Sequence, residues 1–246
     1  MNTPGRTIVF DFDGTISLGD GPVLRYAHHV AETLPLEARA RFDAEVSAGL
    51  PGVGRSADAL DGYALVQTLA ARHDVPAAEL SAAFLASRAE LGGAVAPVTA
   101  PQGLAGFLDD LDGRALRVLA TNSPDIRIVE ALEALGLAGR FDLVVTDAGK
   151  PGGMHAVLDR VDPGPEAGRP GERLLSIGDL WVNDLAPAHD RGFSTAFVGA
   201  EPPAGARPTF SAPDVSGLYD AIRAWLGDSR SAASTGASRT VSAPSS

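Results

Sequence analysis

Short apolar runs alternate with longer amphipathic stretches along most of the chain, and this alternation predicts strands and helices in turn. The first run, residues 6–11, is β-branched and aromatic and stops at Asp11, as a buried strand does at the edge of a sheet. After residue 100, strands are predicted at 115–120, 142–146, 174–177 and 194–198, with helices at 102–111, 125–136, 152–161, 182–190 and 214–226. Such alternation is typical of a parallel sheet covered on both faces. The sequence therefore predicts an α/β fold.

Between the first strand and the rest of the sheet, the chain is rich in alanine and its apolar positions recur with helical spacing. Prolines and glycines at 35, 50–54 and 76 divide this stretch into four predicted helices. Glycines at 92–93 and prolines at 97–101 indicate a hinge-like return to the sheet. We therefore predict a core at 1–15 and 98–227, an all-helical domain inserted at 16–97, and a disordered, Ser- and Ala-rich tail at 228–246.

The 246-residue chain has a net charge of −11 and no cysteine. Its length allows one large domain or two modest ones. The negative charge argues against a nucleic-acid partner, and the lack of cysteine excludes disulfides and thiol catalysis. No apolar stretch is long enough for a membrane span, and the N-terminus lacks a secretory pattern. We therefore expect a cytoplasmic enzyme without a membrane partner, and the sequence gives no signal for an oligomeric state.

Polar residues follow four of the predicted strands at the point where each strand ends. They are Asp11 and Asp13 after the first strand, Thr121, Asn122 and Ser123 after the second, Asp147 and Lys150 after the third, and Asp179 and Asp184 after the fourth. Taken one by one, such residues are more often helix caps or solvated side chains. The carboxyl ends of parallel strands meet at one edge of a sheet, however, and ligands bind there. Their joint occurrence, together with the chain's only lysine, predicts a functional site.

Asp11 and Asp13 are suited to phosphoryl transfer. A carboxylate nucleophile at Asp11 would attack phosphorus and split one difficult displacement into two easier ones. Asp13 would protonate the leaving alcohol and later deprotonate the water that releases the phosphate. Close carboxylates repel one another, so a cation is expected beside them. We predict Mg²⁺ as that cofactor, because it prefers carboxylate and water oxygens, with Asp11, Asp13, Asp179 and Asp184 as its ligands.

The substrate phosphate needs hydrogen-bond donors and positive charge in an otherwise acidic protein. Thr121 and the backbone of Asn122 are predicted to donate to phosphate oxygens. Lys150 is predicted to pair with both the nucleophile and the phosphate, and so to stabilise charge in the transition state. The predicted partner is a small-molecule phosphate. In the inserted helical domain, the residues that could reach a polar substrate are Arg25, His28, Arg55 and Tyr63.

The four strand-end stretches resemble the motifs of the haloacid dehalogenase superfamily. The matching segments are Asp-Phe-Asp-Gly-Thr at 11–15, Thr121-Asn122, Lys150-Pro151, and Gly-Asp-x-x-x-x-Asp at 178–184. The resemblance covers residues 6 to about 200. It implies a Rossmann-like core, a magnesium ion, an aspartyl-phosphate intermediate, and a helical cap at the position of residues 15–100. The family's roles carry over to Asp11, Asp13, Thr121, Lys150, Asp179 and Asp184.

Several activities remain open within and outside this resemblance. Dehalogenases of the family lack the second aspartate of the first motif, which is Asp13 here, and phosphonate-cleaving members use a cap lysine that this chain lacks. We therefore predict a Mg²⁺-dependent phosphatase that acts on a small phosphate monoester. A phosphomutase with the same core motifs is the first alternative. A non-catalytic, phosphate-responsive regulatory module and a degenerate member kept for protein contacts are the others.

Overall fold

A computed structural model describes residues 5–50 and 61–227 of the chain. Its centre is a six-stranded sheet in the order β3-β2-β1-β4-β5-β6, and every neighbouring pair is parallel. The strands are β1 (Thr7–Phe10), β2 (Leu116–Ala120), β3 (Leu143–Val145), β4 (Leu174–Gly178), β5 (Ser194–Val198) and β6 (Phe210–Ala212). This parallel, Rossmann-like arrangement confirms the predicted fold class. The strand order changes direction at β1, which is where ligands bind in open α/β sheets.

Both faces of the sheet are buried, and β1 shows how the sequence divides between them. Ile8 and Phe10 pack into the larger hydrophobic core, while Val9 packs into the smaller core on the opposite face. Successive side chains of a strand point to opposite faces, so a continuous apolar run is what a doubly covered strand requires. The backbone of Val9 lies between Val118 of β2 and Ser176 of β4. The residue that follows β1 is therefore held from both sides.

The helices that follow the cap region are shorter than the sequence pattern predicts. They are α5 (Leu104–Asp110), α6 (Ile128–Ala134), α7 (Met154–Val161), α8 (Pro170–Arg173), α9 (Ala186–His189) and α10 (Tyr219–Trp225). The predicted helix 182–190 is a π-helical turn, Trp181–Leu185, that continues into α9. The predicted loop 162–172 contains a 3₁₀ turn and the start of α8. The edge strand β6 was not predicted, because its three residues are too few for a period to be visible.

Four helices lie between β1 and α5 in the described part of the chain, as predicted. They are α1 (Gly21–Thr33), α2 (Leu36–Gly49), α3 (Gly62–Ala71) and α4 (Ala77–Arg88), and we call them the cap. Their apolar faces form a hydrophobic core of their own, separate from the two cores of the sheet. An aromatic group of Tyr26, Tyr63 and Phe84 lies within it, with ring centroids 5.7–5.9 Å apart. The exact boundaries at 15/16 and 97/98 stay a prediction, and the tail 228–246 lies outside the described residues.

The cap joins the core through two chain segments that pair with each other. The backbone N–H of Leu18 donates to the Thr99 carbonyl at 2.9 Å, and the N–H of Thr99 donates to the Leu18 carbonyl at 3.0 Å. Beside this pair, Gly92 has φ +72° and lies so close to α6 that a Cβ atom there would be 3.0 Å from the Cα atom of Ala131. Glycine is needed at such a position because it accepts positive φ and leaves room for another backbone.

Within the described residues, no helix combines the length and the apolar character that crossing a bilayer requires.

Candidate active site

The turn after β1 places Asp11 and Asp13 at the edge of the sheet. The N–H of Asp11 still donates to the carbonyl of Ile177 in β4, at 2.9 Å, so the carboxylate begins from a fixed backbone. The chain then turns at Gly14, which has φ +79°. A side chain at Gly14 would collide with the carboxylate of Asp179. Glycine therefore allows both the turn and the approach of a second acid from the fourth strand.

Lys150 binds the carboxylate that is predicted to be the nucleophile. Its Nζ atom donates to Asp11 Oδ1 at 2.5 Å, to Asp184 Oδ1 at 2.6 Å and to the Ala120 carbonyl at 3.0 Å. These three contacts account for all three hydrogens of an ammonium group. Lys150 is 9% exposed, so the ion pairs are largely shielded from water. The predicted contact between Lys150 and a substrate phosphate stays a prediction, because Lys150 would have to give up one of these three hydrogen bonds to make it.

Burial and the crowding of acids shift the ionisation of this group. Burial, and after it the charge of Asp184, raises the pKa of Asp11 to about 7. Burial alone would lower the pKa of Lys150, but the carboxylates of Asp11 and Asp184 raise that pKa above its usual value. The lysine therefore stays charged at neutral pH, while Asp11 holds its proton more tightly than an ordinary aspartate.

Asp11, Asp179 and Asp184 form a cluster in which one carboxylate oxygen from each residue lies within 4.8 Å of the others. The Oδ1 atom of Asp179 is buried and accepts no hydrogen bond from the described residues. Burial, followed by the charges of Asp11 and Asp184, raises the pKa of Asp179 well above its usual value. Three converging carboxylates with an unsatisfied oxygen fit a hard divalent cation such as Mg²⁺. The fourth predicted ligand, Asp13, is not part of this cluster.

Asp184 is held by the π-helical turn that follows β4. Its Oδ2 atom accepts from the N–H of Leu180 at 3.0 Å, and its carbonyl accepts from the Ser176 hydroxyl at 2.7 Å. The side chain is 2% exposed and lies against Gly178, where any larger residue would collide with it. Asp184 thus closes a turn and at the same time presents Oδ1 to Lys150. Burial raises its pKa, against the opposing effect of Lys150.

The stretch after β2 lies beside Lys150. The amide of Asn122 donates to the Lys150 carbonyl at 3.1 Å and accepts from the Lys150 N–H at 2.6 Å, so it positions the lysine. Thr121 Oγ1 accepts from the N–H of Ser123 at 3.0 Å, which leaves its own hydrogen available. The Ser123 hydroxyl is buried and has no partner among the described residues. The alternative that Thr121 or Ser123 caps the next helix is wrong, because Arg127 precedes α6. The predicted phosphate contacts stay predictions.

Arg88, the last residue of α4, is a site residue that the sequence did not reveal. Its NH2 and NH1 atoms donate to the two carboxylate oxygens of Asp13, at 2.7 and 3.2 Å. The side chain is buried, and Tyr63 and Phe84 of the cap lie against its guanidinium group. An arginine at the end of an amphipathic helix is normally solvated, so no motif or spacing distinguished it.

The cap residues that the sequence suggested as substrate contacts have different positions. Tyr63 lines a cavity of about 1030 Å³ that also contains Asp11, Asp13 and Lys150 on its wall. Burial, and after it the charge of Asp13, raises the pKa of Tyr63 well above its usual value. Arg25 instead pairs with Glu90 at 2.5 Å, and the half-exposed His28 lies near Glu32. Arg55 lies outside the described residues.

Comparisons with known proteins agree on the fold. No protein-family model matches the sequence, and no curated protein matches it. Among solved structures, the HAD-hydrolase YfnB of Bacillus subtilis, bound to magnesium, has a TM-score of 0.57 and 18% identity, over 90% of this chain and 100% of that chain. A haloacid dehalogenase-like hydrolase of Xanthomonas campestris has a TM-score of 0.54 and 20% identity, over 92% and 98%.

A Thermotoga maritima protein described as a β-phosphoglucomutase has a TM-score of 0.53 and 17% identity, over 89% of this chain and 99% of that chain. Dehalogenases are also among the matching structures. The matches therefore agree in architecture but differ in the reaction that their names describe. With the parallel sheet, the helical cap and the four strand-end motifs, they establish that this chain has the fold of the haloacid dehalogenase superfamily.

Proposed function

We propose that the protein is a Mg²⁺-dependent phosphatase that hydrolyses a small-molecule phosphate monoester through an aspartyl-phosphate intermediate. The observation that carries the proposal is the contact of Asp11 with Lys150. Asp11 also forms a carboxylate cluster with Asp179 and Asp184, and Asp13 follows it by two residues in the chain. One group that attacks, one that moves a proton and a cluster that fits a cation are the parts that this chemistry needs. The absence of cysteine fits the reducing cytoplasm, which we propose as its compartment.

In the first half of the reaction, a carboxylate oxygen of Asp11 attacks the phosphorus atom of the ester. A bond forms between that oxygen and phosphorus, and the bond from phosphorus to the substrate's alcohol oxygen breaks. Asp13 gives its proton to the departing oxygen, so that an alcohol leaves rather than an alkoxide. The product is free alcohol and a phosphorylated Asp11.

In the second half, Asp13 takes a proton from a water molecule as the water oxygen attacks phosphorus. The bond between phosphorus and Asp11 breaks, which restores the carboxylate and releases inorganic phosphate. Asp11, Asp179 and Asp184 would hold a cation, and its charge would offset the repulsion between the carboxylates and the phosphate. Lys150 holds the attacking carboxylate in place throughout and balances its charge.

Asp13 favours a phosphatase over a dehalogenase. A halide is a stable anion and leaves without a proton, whereas an alcohol leaves from a phosphate ester far more readily when an acid protonates it. A second aspartate at the turn after β1 is therefore useful for phosphate esters and unnecessary for carbon–halogen bonds. Dehalogenases share the fold, so this residue carries the distinction.

Release of inorganic phosphate from a panel of phosphate monoesters, with Mg²⁺ and with excess chelator, tests the proposal. We expect turnover that the chelator abolishes and that Asp11→Asn reduces by a factor of about 10⁴ or more. Asp147→Asn is the matched control, since Asp147 is an exposed acid after β3 that lies outside the carboxylate cluster.

Wild-type rates in Asp11→Asn would contradict the assignment of the nucleophile. Isomerised phosphoesters without free phosphate would instead identify a phosphomutase. One phosphate bound per chain without turnover would identify a regulatory module.

A further inference from the structure

Within residues 5–50 and 61–227, the cap contributes one positively charged side chain to the site, Arg88, and one of its hydrogen-bond donors has no acceptor. Arg88 is 1% exposed and forms a two-pronged ion pair with Asp13. Its Nε atom is buried and has no hydrogen-bond partner among the described residues. A buried guanidinium donor without an acceptor costs free energy unless a ligand supplies one. A ligand that displaced Asp13 from Arg88 could supply the missing acceptor.

The surroundings fix Arg88 and add a second unused donor. The guanidinium carbon lies 4.9 Å from the ring centroid of Tyr63 and 5.1 Å from that of Phe84, which restricts the plane of the group. The Tyr63 hydroxyl is also buried, it lies close to the Arg88 guanidinium, and no residue in the described part of the chain accepts its hydrogen. Both residues line the cavity that contains Asp11 and Lys150. Arg88 and Tyr63 thus lie on the cap side of the cavity in which a substrate would bind.

The ion pair also occupies a group that the proposed reaction needs. Both carboxylate oxygens of Asp13 accept from Arg88, and at least one must be free to contact the departing oxygen. An anion on the substrate that took the place of Asp13 at Arg88 would free this oxygen. The fork of a guanidinium matches a carboxylate in shape, as its present pairing with Asp13 illustrates.

We propose that Arg88, assisted by Tyr63, binds a carboxylate on the alcohol part of the substrate and releases Asp13 in exchange. Arg88 and Lys150 are the only Arg or Lys residues among the described residues that line the cavity, and Lys150 already holds three partners. One available guanidinium balances a single negative charge, which favours a carboxylate over a second phosphate. The inference rests on the proposed phosphatase function and narrows its substrate class to carboxylate-bearing phosphate monoesters.

A matched pair of esters tests this inference. 2-Phosphoglycolate carries a carboxylate, and 2-hydroxyethyl phosphate carries a neutral hydroxyl in its place at almost the same size. We expect the wild-type protein to favour the first by about 10- to 100-fold in kcat/KM, as a charge-assisted hydrogen-bonded pair would provide. Arg88→Met is expected to bring this ratio close to one, and Arg88→Lys to restore only part of it, because lysine lacks the fork.

Arg25→Met is the control variant, because Arg25 is a cap arginine in an ion pair with Glu90 and does not line the cavity. It is expected to keep the wild-type ratio. Circular dichroism and thermal unfolding establish that each variant is folded, and Arg88→Lys keeps the buried charge if Arg88→Met does not fold. Equal kcat/KM for the two esters in the wild-type protein, or an unchanged ratio in Arg88→Met or Arg88→Lys, would overturn the inference.

Calorimetric binding separates failure of this inference from failure of the proposed function. In an Asp11→Asn background with Mg²⁺, 2-phosphoglycolate is expected to bind at least about tenfold more tightly than 2-hydroxyethyl phosphate, and Arg88→Met to remove the difference. A binding preference that depends on Arg88, in a protein that turns over no ester, would support the carboxylate site and contradict the phosphatase. Turnover of both esters without a preference would support the phosphatase and contradict the carboxylate site.

Discussion

The two walls of the cavity are built in different ways. The wall at the sheet edge holds Asp11, Lys150 and Asp184 in a continuous set of short contacts, each residue fixed by backbone at the end of a strand. The wall at the cap contributes one charged side chain, Arg88, supported by two aromatic rings. The first wall is dense in charge, and its lysine is shared between two carboxylates, although Asp179 Oδ1 and the Ser123 hydroxyl have no partner among the described residues. The second wall carries a single charge, and its Arg88 Nε atom has no acceptor within the same part of the chain.

Under the proposed function, this difference separates the residues that would perform the chemistry from those that would select the substrate. A charge cluster that must act on every phosphate ester gains from rigid strand ends, which fix distances. A wall that must exchange one partner for another needs unused donors instead. The cap has its own hydrophobic core, so its residues can change without disturbing the cluster at the sheet.

Among changes that leave Asp11 in place, the largest effect should come from removing the positive charge of the sheet wall. Lys150→Met is expected to lower kcat/KM by a factor of about 10² to 10³ and to destabilise the metal-free protein by about 3 kcal/mol, because Asp11 and Asp184 lose their buried counter-charge. Phosphate release and urea unfolding with chelator measure the two effects. Arg41→Met, which removes a pair between the highly exposed Arg41 and Glu45, should cost less than about 1 kcal/mol. Similar losses in both variants would show that the wall is not a tightly coupled cluster.

The same wall should make stability depend on pH when no metal is bound. The folded-state pKa of Asp11 is raised to about 7, above that of an unfolded chain, so the folded protein keeps a proton that the unfolded chain has lost. Stability is therefore greatest below the unfolded pKa and falls as pH rises through about 7, by a few kcal/mol. Asp162 acts in the opposite sense, since Arg173 lowers its pKa, but only in more acidic solution.

Urea unfolding between about pH 5 and 8, with chelator and with Mg²⁺, measures this dependence. Mg²⁺ binds the ionised carboxylates, so it should stabilise the protein more at the upper end of the range and flatten the profile. Asp11→Asn should make the metal-free profile less steep, and the raised pKa values of Asp179 and Asp184 account for the dependence that remains. A metal-free wild-type protein with constant stability across this range would contradict the charge crowding that distinguishes the sheet wall.

The two walls also differ in how far they could be predicted. The residues of the sheet wall come directly after strands. In the sequence, the ends of those strands are visible as apolar runs that stop at Asp11 and at Gly178-Asp179. The topology then brings the marked residues to one edge. Arg88 follows no strand, and its contact with Asp13 depends on how the cap lies over the core. A contact between two separately packed units has no period or spacing for sequence reasoning to detect.

Two local features near Lys150 could not be predicted from the sequence for a related reason. The segment 181–185 forms a π-helical turn from which Asp184 accepts a hydrogen bond from Lys150, whereas the pattern of apolar residues indicates only a helix there. Asn122 was predicted to serve the phosphate through its backbone, but its side chain is used to hold Lys150. Hydrogen bonds between residues 28 positions apart are a tertiary property that a motif does not report.

A smaller effect is expected from loosening the support of the sheet wall. Asn122→Ala removes two hydrogen bonds to the backbone of Lys150, which should cost about 1–2 kcal/mol in stability and lower kcat about tenfold. Asp125→Ala is a fair control in the same loop, because Asp125 is exposed and does not line the cavity. Thermal unfolding and steady-state kinetics compare the two variants. If Asn122→Ala matched Asp125→Ala in both measurements, groups other than Asn122 would hold Lys150 in place.

The smallest effect concerns the junction between cap and core. Gly92 and Gly113 both have positive φ, at +72° and +68°, but only Gly92 approaches another backbone, that of Ala131, while Gly113 faces open space. Alanine at Gly113 should cost about 1 kcal/mol from backbone strain alone. Alanine at Gly92 should cost about 1 kcal/mol more, because its Cβ atom must push α6 away. Urea unfolding of the two variants gives the difference directly. Equal losses of stability would mean that α6 moves away from residue 92 at no cost in free energy. The cap would then be packed less closely against the core than the contact at Ala131 indicates.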